Sequence, residues 1–294
     1  MNAETVKILI AMILYMLVVV GIGLFFAKQA NQNSENYFLG GRSLGPWIAA
    51  MSAEASDMSG WLLMGLPGVA YWTGLADAAW TAIGLAVGTY LNWLIVSKRL
   101  RRYSVRAGNA ITLPEFFSNR YHEKKPVLLT LSAVFILIFF TVYAASCLVT
   151  VGKLFSTLFG APYILMMIIG AAFVLIYTIL GGFLAESASD FMQGIIMFAA
   201  LIVVVTAGTA AAGGPAAVLE HARSIPGFLD FFGVAVPATD ADGVQQVSKG
   251  LAQFAPAASY GWLSILSTTA WGLGYFGMPQ ASSNSHGALL WSGC

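Results

Sequence analysis

The sequence predicts an all-α, polytopic membrane protein, and three observations carry that reading. Of 294 residues, 58% are hydrophobic and only 9% charged, with a mean hydropathy of +0.77, far from the composition of a soluble domain. Apolar runs of bilayer-spanning length recur along the chain, a span needing about 20 such residues. The runs are apolar all round rather than alternating. Because lipid offers backbone groups no outside partner, that pattern favours helices over a barrel.

About seven transmembrane helices follow, at residues 5–26, 46–71, 75–96, 127–154, 162–180, 191–212 and 260–278. The last is the weakest, since Ser, Thr and Gly interrupt it. The first is too long for a signal-peptide core, has only Lys7 as a basic flank and lacks a small-residue cleavage site. Cys147 within a span and Cys294 in the tail give no disulfide framework.

Charge placement predicts orientation. Lys98, Arg99, Arg101, Arg102, Arg106, Arg120, Lys124 and Lys125 all fall in the loop 97–126. The positive-inside rule makes that loop cytoplasmic and the N-terminus external. Lys28 and Arg42 then also lie inside, with Gly181–Asp190 as a further inner loop. Lys7, Lys153, Arg223 and Lys249 form the minority on the far face. A nucleic-acid patch is the weaker alternative, since neither aromatic interleaving nor a soluble domain accompanies the basic loop. The outer segment 213–259 reads as an ordered cap with two helix-like pieces, AAVLEHARS and VQQVSKGLAQF.

The second span carries the chemistry. Glu54 and Asp57 sit inside an apolar stretch, where an ionised side chain at mid-depth costs roughly 2.5–3.5 kcal/mol even on lenient scales. Ala49, Ala50, Ser52, Ala53, Ala55, Ser56, Ser59 and Gly60 surround them. Small residues allow close packing. Such clustering also permits a helix break whose carbonyls and hydroxyls suit a hard monovalent cation. Pro67 and Gly68 would bend or end the helix. The plainer alternative is that the small residues serve packing alone and the carboxylates pair with a base, yet no Lys or Arg occurs mid-span.

Other candidates are read with their alternatives open. In a continuous helix Trp61 would lie one turn after Asp57 and face the same cavity. The Tyr143 hydroxyl needs a partner, either in a cavity or on a neighbouring helix carbonyl. Trp271 and Tyr275, four apart, would share a helix face, which is more often core packing. Asp190 and Glu186 follow the Gly181–Gly182 turn and read as a solvated helix start. Glu54 reads as protonated and structural. Gly272, Gly274 and Gly277 satisfy G-x-G-x-x-G, but no βαβ unit surrounds them, so close packing or local unwinding is expected. Gly84 and Gly88 are read as a helix-packing contact within or between subunits. His122 and His221 read as solvated. No clustered nucleophile and base or phosphate loop suggests an enzyme.

Several segments together resemble the solute:sodium symporter family: SAEASDMSGWLLMGLPG (52–68), NYFLGGRSLGPW (36–47), LPEFF (113–117), GGFLAESASDFMQ (181–193) and WGLGYFGMP (271–279). The likeness runs from about residue 5 to 279. It implies a fold of two five-helix inverted repeats preceded by one extra helix, of which this chain would carry the first half in a domain 1–279. It implies sodium-coupled symport of proline across the cytoplasmic membrane, with Na⁺ as coupling ion, no other cofactor and no transition metal. The implied sodium residues are Ala55, Asp57, Met58, Ser59 and Asp190. Those for L-proline are Trp61, Tyr143, Trp271, Tyr275 and Pro279, while Arg42 and Gly60 bear on coupling.

Residues 280–294 (QASSNSHGALLWSGC) read as a non-family tail, so a C-terminally truncated member is expected. The family's later hydroxyl ligands would then be missing, and the chain alone would not transport. Alternatives are another small solute such as pantothenate or a sugar, or a non-transporting fragment that associates with a full-length copy. The oligomeric state is left open.

Overall fold

A computed structural model describes residues 3–248 and 250–278. Lys249, Pro279 and the 280–294 tail lie outside the described residues. The chain is helical with a small β segment. In order, it forms α1 (Ala3–Ala30), α2 (Ser34–Leu39), α3 (Pro46–Asp57), α4 (Leu66–Thr73), α5 (Leu75–Asn92), α6 (Lys98–Arg106), α7 (Leu113–Arg120), α8 (Val127–Phe159), α9 (Tyr163–Ala211), α10 (Pro215–Ser224) and α11 (Trp262–Thr269). A 3₁₀ turn covers Gly40–Arg42, π-helical turns cover Trp61–Gly65 and Trp93–Ser97, and a longer 3₁₀ stretch covers Ala270–Gly277. Strands β1 (Gly233–Pro237) and β4 (Phe254–Ser259) pair antiparallel, as do β2 (Val247–Ser248) and β3 (Leu251–Ala252).

Four described helical stretches are long and apolar enough to cross a membrane: Thr5–Ala30, Leu75–Arg106, Val127–Phe159 and Tyr163–Ala211. The difference from seven predicted runs has a physical origin. The run 46–71 is cut into α3, a π turn and α4, and the run 260–278 into α11 and a 3₁₀ stretch. The runs 162–180 and 191–212 are joined in α9. Many large apolar side chains on the long helices face outward, among them Leu14, Phe25, Leu137, Phe139 and Val204. Such a surface belongs against hydrocarbon.

The described residues form two compact units, 3–60 with 95–195, and 61–94 with 196–278. In the first, α9 is redirected at Gly182, whose φ 55 and ψ −156 no L-residue adopts easily. A side chain there would also meet the Tyr37 carbonyl at 2.8 Å. The inner loop expected at Gly181–Asp190 is therefore a single-residue kink, after which the helix resumes and Leu184, Ala185, Ser187 and Ser189 are buried. A kink releases carbonyls of the preceding turn, and these must find donors. The Tyr37 hydroxyl donates to the carbonyls of Thr178 and Ile179 at 3.4 Å, and Asn31 Nδ2 to that of Leu180 at 3.2 Å. Leu44, Ala49 and Leu184 make a small core with Phe26, Ile48 and Phe183 around the same bend.

At the start of α8 the loop carboxylate of Glu123 is desolvated, which opposes ionisation. Backbone N–H groups of Leu128, Leu129 and Val127 and the Ser118 hydroxyl outweigh this and hold it below the usual range. It serves as the N-terminal anion of that helix.

In the second unit the segment 213–259 holds α10, as its sequence predicts. The piece VQQVSKGLAQF instead forms the β2–β3 pair, turning at Gly250 with φ 78. Backbone bonds from Gln246 to Ala238 and from Gln253 to Gln246 extend that pairing and displace the expected helix. The segment is pinned to α5: the Leu75 N–H donates to the Phe228 carbonyl (2.7 Å), Trp80 Nε1 to that of Phe231 (2.8 Å), and the Tyr260 hydroxyl to Asp77 Oδ1 (2.8 Å). Gly84 and Gly88 pack internally, backbone to backbone. A Cβ on Gly84 would lie 2.7 Å from Thr269 Cα, and one on Gly88 2.6 Å from Gly272 Cα. Gly88→Leu should therefore destabilise the unit by about 1–3 kcal/mol or more through overpacking. Thermal unfolding in detergent, read against the harmless neighbour change Val87→Leu, checks this.

Candidate functional site

The break predicted in the second span lies at Met58–Ser59. Helix α3 begins on Pro46, pre-organised at the first turn, and ends at Asp57 because Met58 turns extended with φ −65 and ψ 98. The last carbonyls of such a helix lose their intrahelical partners. That of Ala55 accepts from Met58 N–H at 3.2 Å, and that of Ser56 from the Tyr143 hydroxyl at 3.4 Å. Asp57, Met58, Ser59 and Gly60 are each half-buried at this interruption. The structure thus brings Ala55, Asp57, Met58, Ser59 and Gly60 to one stretch of open backbone among apolar residues.

Asp190 is 8% exposed and sits within α9, not at a solvated helix start. The correction follows from the Gly182 kink, which restarts the helix well before it. Its Oδ2 accepts from the hydroxyls of Ser52 at 2.8 Å and Ser56 at 3.1 Å. No Lys or Arg occurs in residues 43–97 or 163–211. A carboxylate in such surroundings is held by hydroxyl dipoles. Ser56 is a node: its side chain binds Asp190 and its carbonyl binds Tyr143. On sequence alone Ser52 and Ser56 read as packing residues. Their i, i+4 spacing, which puts both on one helix face, is the signal that could have found them.

Tyr143 finds the partner that its burial demands on a neighbouring helix carbonyl, one that the break has exposed. Arg42 is also 8% exposed, in a turn where Gly40, Gly41 and Arg42 have φ of 60, 61 and 55. Its Nε donates to Glu35 Oε1 at 2.6 Å and its Nη2 reaches the Asn109 carbonyl at 3.5 Å. This makes Arg42 a clamp between the α2 turn and the 107–112 connection. Glu54 is exposed on α3, away from the bonds that gather around Asp190.

Two expectations for the aromatic candidates are corrected. The one-turn spacing of Asp57 and Trp61 does not apply, because the helix is interrupted between them and Trp61 opens a π turn. Trp271 and Tyr275 lie in the 3₁₀ stretch, where residues three apart, not four, are eclipsed. They do not share a face as an α-helix would require. Trp61 does meet Trp271, with ring centroids 4.5 Å apart and planes at 57°. Tyr275 is half-buried, and Pro279 lies outside the described residues. The oxygen groups of the break, in the first unit, suit a hard cation, and the tryptophan pair, within the second unit, suits an apolar ring.

The Asp190 geometry has a measurable corollary. Asp190→Leu leaves the buried Ser52 hydroxyl and the half-buried Ser56 hydroxyl without their acceptor, at about 1–3 kcal/mol for a fully buried unsatisfied group. Asp190→Asn keeps an oxygen in place. Thermal unfolding should therefore show a clearly lower midpoint for the leucine variant than for the asparagine variant.

The model of the Sodium:solute symporter family matches residues 37–282. Sodium/proline symporters of Staphylococcus aureus strains JH9, JH1 and COL are each 43% identical over 266 residues, 90% of this chain and 47% of theirs. The chain spans about half the length of the curated relatives it matches. With the family profile covering most of the sequence, and with several long apolar helices, this multi-pass membrane protein belongs to the Sodium:solute symporter family, a family of transporters rather than enzymes.

Proposed function

We propose that the chain takes part in sodium-coupled symport of a small solute, L-proline, across the cytoplasmic membrane. The observation that carries this is the helix break at Met58–Ser59, where oxygen groups gather inside an apolar span. The carbonyls of Ala55 and Met58, with the Asp57 and Ser59 side chains, supply oxygen to Na⁺, and Asp190 receives the ion along its inner route. Replacing a hydration shell needs several oxygens at once, which an uninterrupted helix cannot present. Trp61, Trp271 and Tyr275 supply apolar walls to the imino-acid ring, with Tyr143 at the break and Pro279 beyond the described residues. Arg42 and Gly60 act on coupling through the geometry of their turns. Proline follows the name that the similar staphylococcal proteins carry.

In this reading the loop 97–126 faces the cytoplasm and 213–259 faces outside, because the basic residues concentrate in the former. A single cysteine at Lys124 should resist a membrane-impermeant thiol reagent in whole cells, while one at Gly243 should label. The reverse pattern would overturn the orientation.

Sodium binding is tested on the purified chain in lipid nanodiscs. A ligand at about 100 times its Kd adds about 2.7 kcal/mol of stability. NaCl should raise the unfolding midpoint over choline chloride, and Asp57→Asn should abolish the rise while Glu54→Gln leaves it. Equal midpoints in both salts for the wild-type chain would sink the sodium assignment.

A further inference from the structure

The interruption that ends α3 is held only in part by α3 itself, through the Met58 N–H bond to the Ala55 carbonyl. Helix α8 touches it on both sides. Before the gap, the Tyr143 hydroxyl reaches the Ser56 carbonyl at 3.4 Å. After it, the Thr150 side chain occupies the space that a side chain on Gly60 would need: a Cβ there would collide first with Thr150 Oγ1 and would lie 2.6 Å from Thr150 Cγ2 and 3.0 Å from Thr150 Cβ. Tyr143 and Thr150 are seven residues apart, two turns along one face of α8. Ser146 lies between them and ties the face together, its hydroxyl donating to the Tyr143 carbonyl at 2.7 Å and its carbonyl accepting from the Thr150 hydroxyl at 2.9 Å.

We infer that Thr150 is a positioning residue: with Tyr143 it splints the broken second span, fixing how far apart the two ends of the gap are held. The inference rests on the sodium reading of that gap and names a residue that the reading does not use. Its physical basis is the notch. Glycine at position 60 lets a β-branched side chain, stiff about χ1, sit directly against backbone. The Thr150 hydroxyl is spent on its own helix, so shape, not hydrogen bonding, makes the contact. Neither half of the gap can shift along α8 without driving Gly60 into Thr150 or pulling Ser56 off Tyr143.

A double-mutant cycle between the two positions tests it in nanodiscs, with two readouts: the unfolding midpoint and its shift on adding NaCl. Gly60→Ala should lower the midpoint and weaken sodium stabilisation, because the added methyl and the Thr150 side chain compete for one space. Thr150→Ala in that background removes Cγ2 and Oγ1 and should restore much of both, a coupling that distant sites do not show. Thr150→Ala alone empties the notch and should raise the sodium concentration for half-maximal stabilisation at least about tenfold, the scale of effect that small misplacements produce. Thr150→Val, which keeps the shape, should behave as wild type.

Additive midpoints across the cycle, with sodium stabilisation untouched by Thr150→Ala, would overturn the splint and leave the sodium reading standing. A wild-type chain insensitive to sodium, in which Thr150→Ala still rescues the Gly60→Ala midpoint, would confirm the contact and sink the sodium reading. Loss of sodium stabilisation in Thr150→Val equal to that in Thr150→Ala would also overturn it, since the hydroxyl would then be the active group.

Discussion

The cost of an unpaired backbone amide or carbonyl in hydrocarbon governs the two helix irregularities of the first unit. A straight α-helix avoids that cost by itself, and α1 and α8 do so along most of their length. At two departures from a straight helix, identified donors take up carbonyls that the helix no longer satisfies. At Gly182 the donors are Tyr37 and Asn31. At Met58–Ser59 they are Met58 itself and Tyr143. The irregularities are thus supported rather than loose, and the polar groups they free lie in two defined places.

The first unit concentrates this support around α3. Asp190 is carried into the membrane region by a helix that restarts early, and two serines of α3 take up its carboxylate. Ser56 joins that bond to the break through its own carbonyl. Two hydrogen bonds through Ser56 thus connect the Asp190 carboxylate to the interrupted backbone. In the second unit the aromatic pair Trp61 and Trp271 joins a π turn to a 3₁₀ stretch, so both partners come from distorted helix. Distorted turns of this kind tend to mark functional ground.

Much of this is legible in the sequence, and the failures are instructive. The composition points to the class, and Ser, Gly and the two carboxylates of residues 52–60 point to the break, because local clustering of small polar residues in an apolar run has few other causes. The Gly84 and Gly88 contact is legible for the same reason. Asp190 is easily misread: Gly181–Gly182 looks like a loop, and only the tertiary bonds from Tyr37 and Asn31 let the helix resume after one residue. Trp271 and Tyr275 are misread because helix type, α or 3₁₀, has no clear periodic signature over eight residues. The strands at 247–252 escape notice because pairs of two residues carry no alternation to read. Thr150 gives no signal at all, since what distinguishes it is the absence of a side chain on a residue ninety positions earlier.

The glycine seam between α5 and the 270–277 stretch has a mechanical corollary. Where two main chains lie against each other with no side chains between, there is no compliant layer to shear. Sliding one along the other would bring carbonyl oxygens into collision within a fraction of a residue's rise. The two segments are therefore packed as one body, and the start of α5 is itself fastened, through Asp77, to Tyr260, the residue that follows β4.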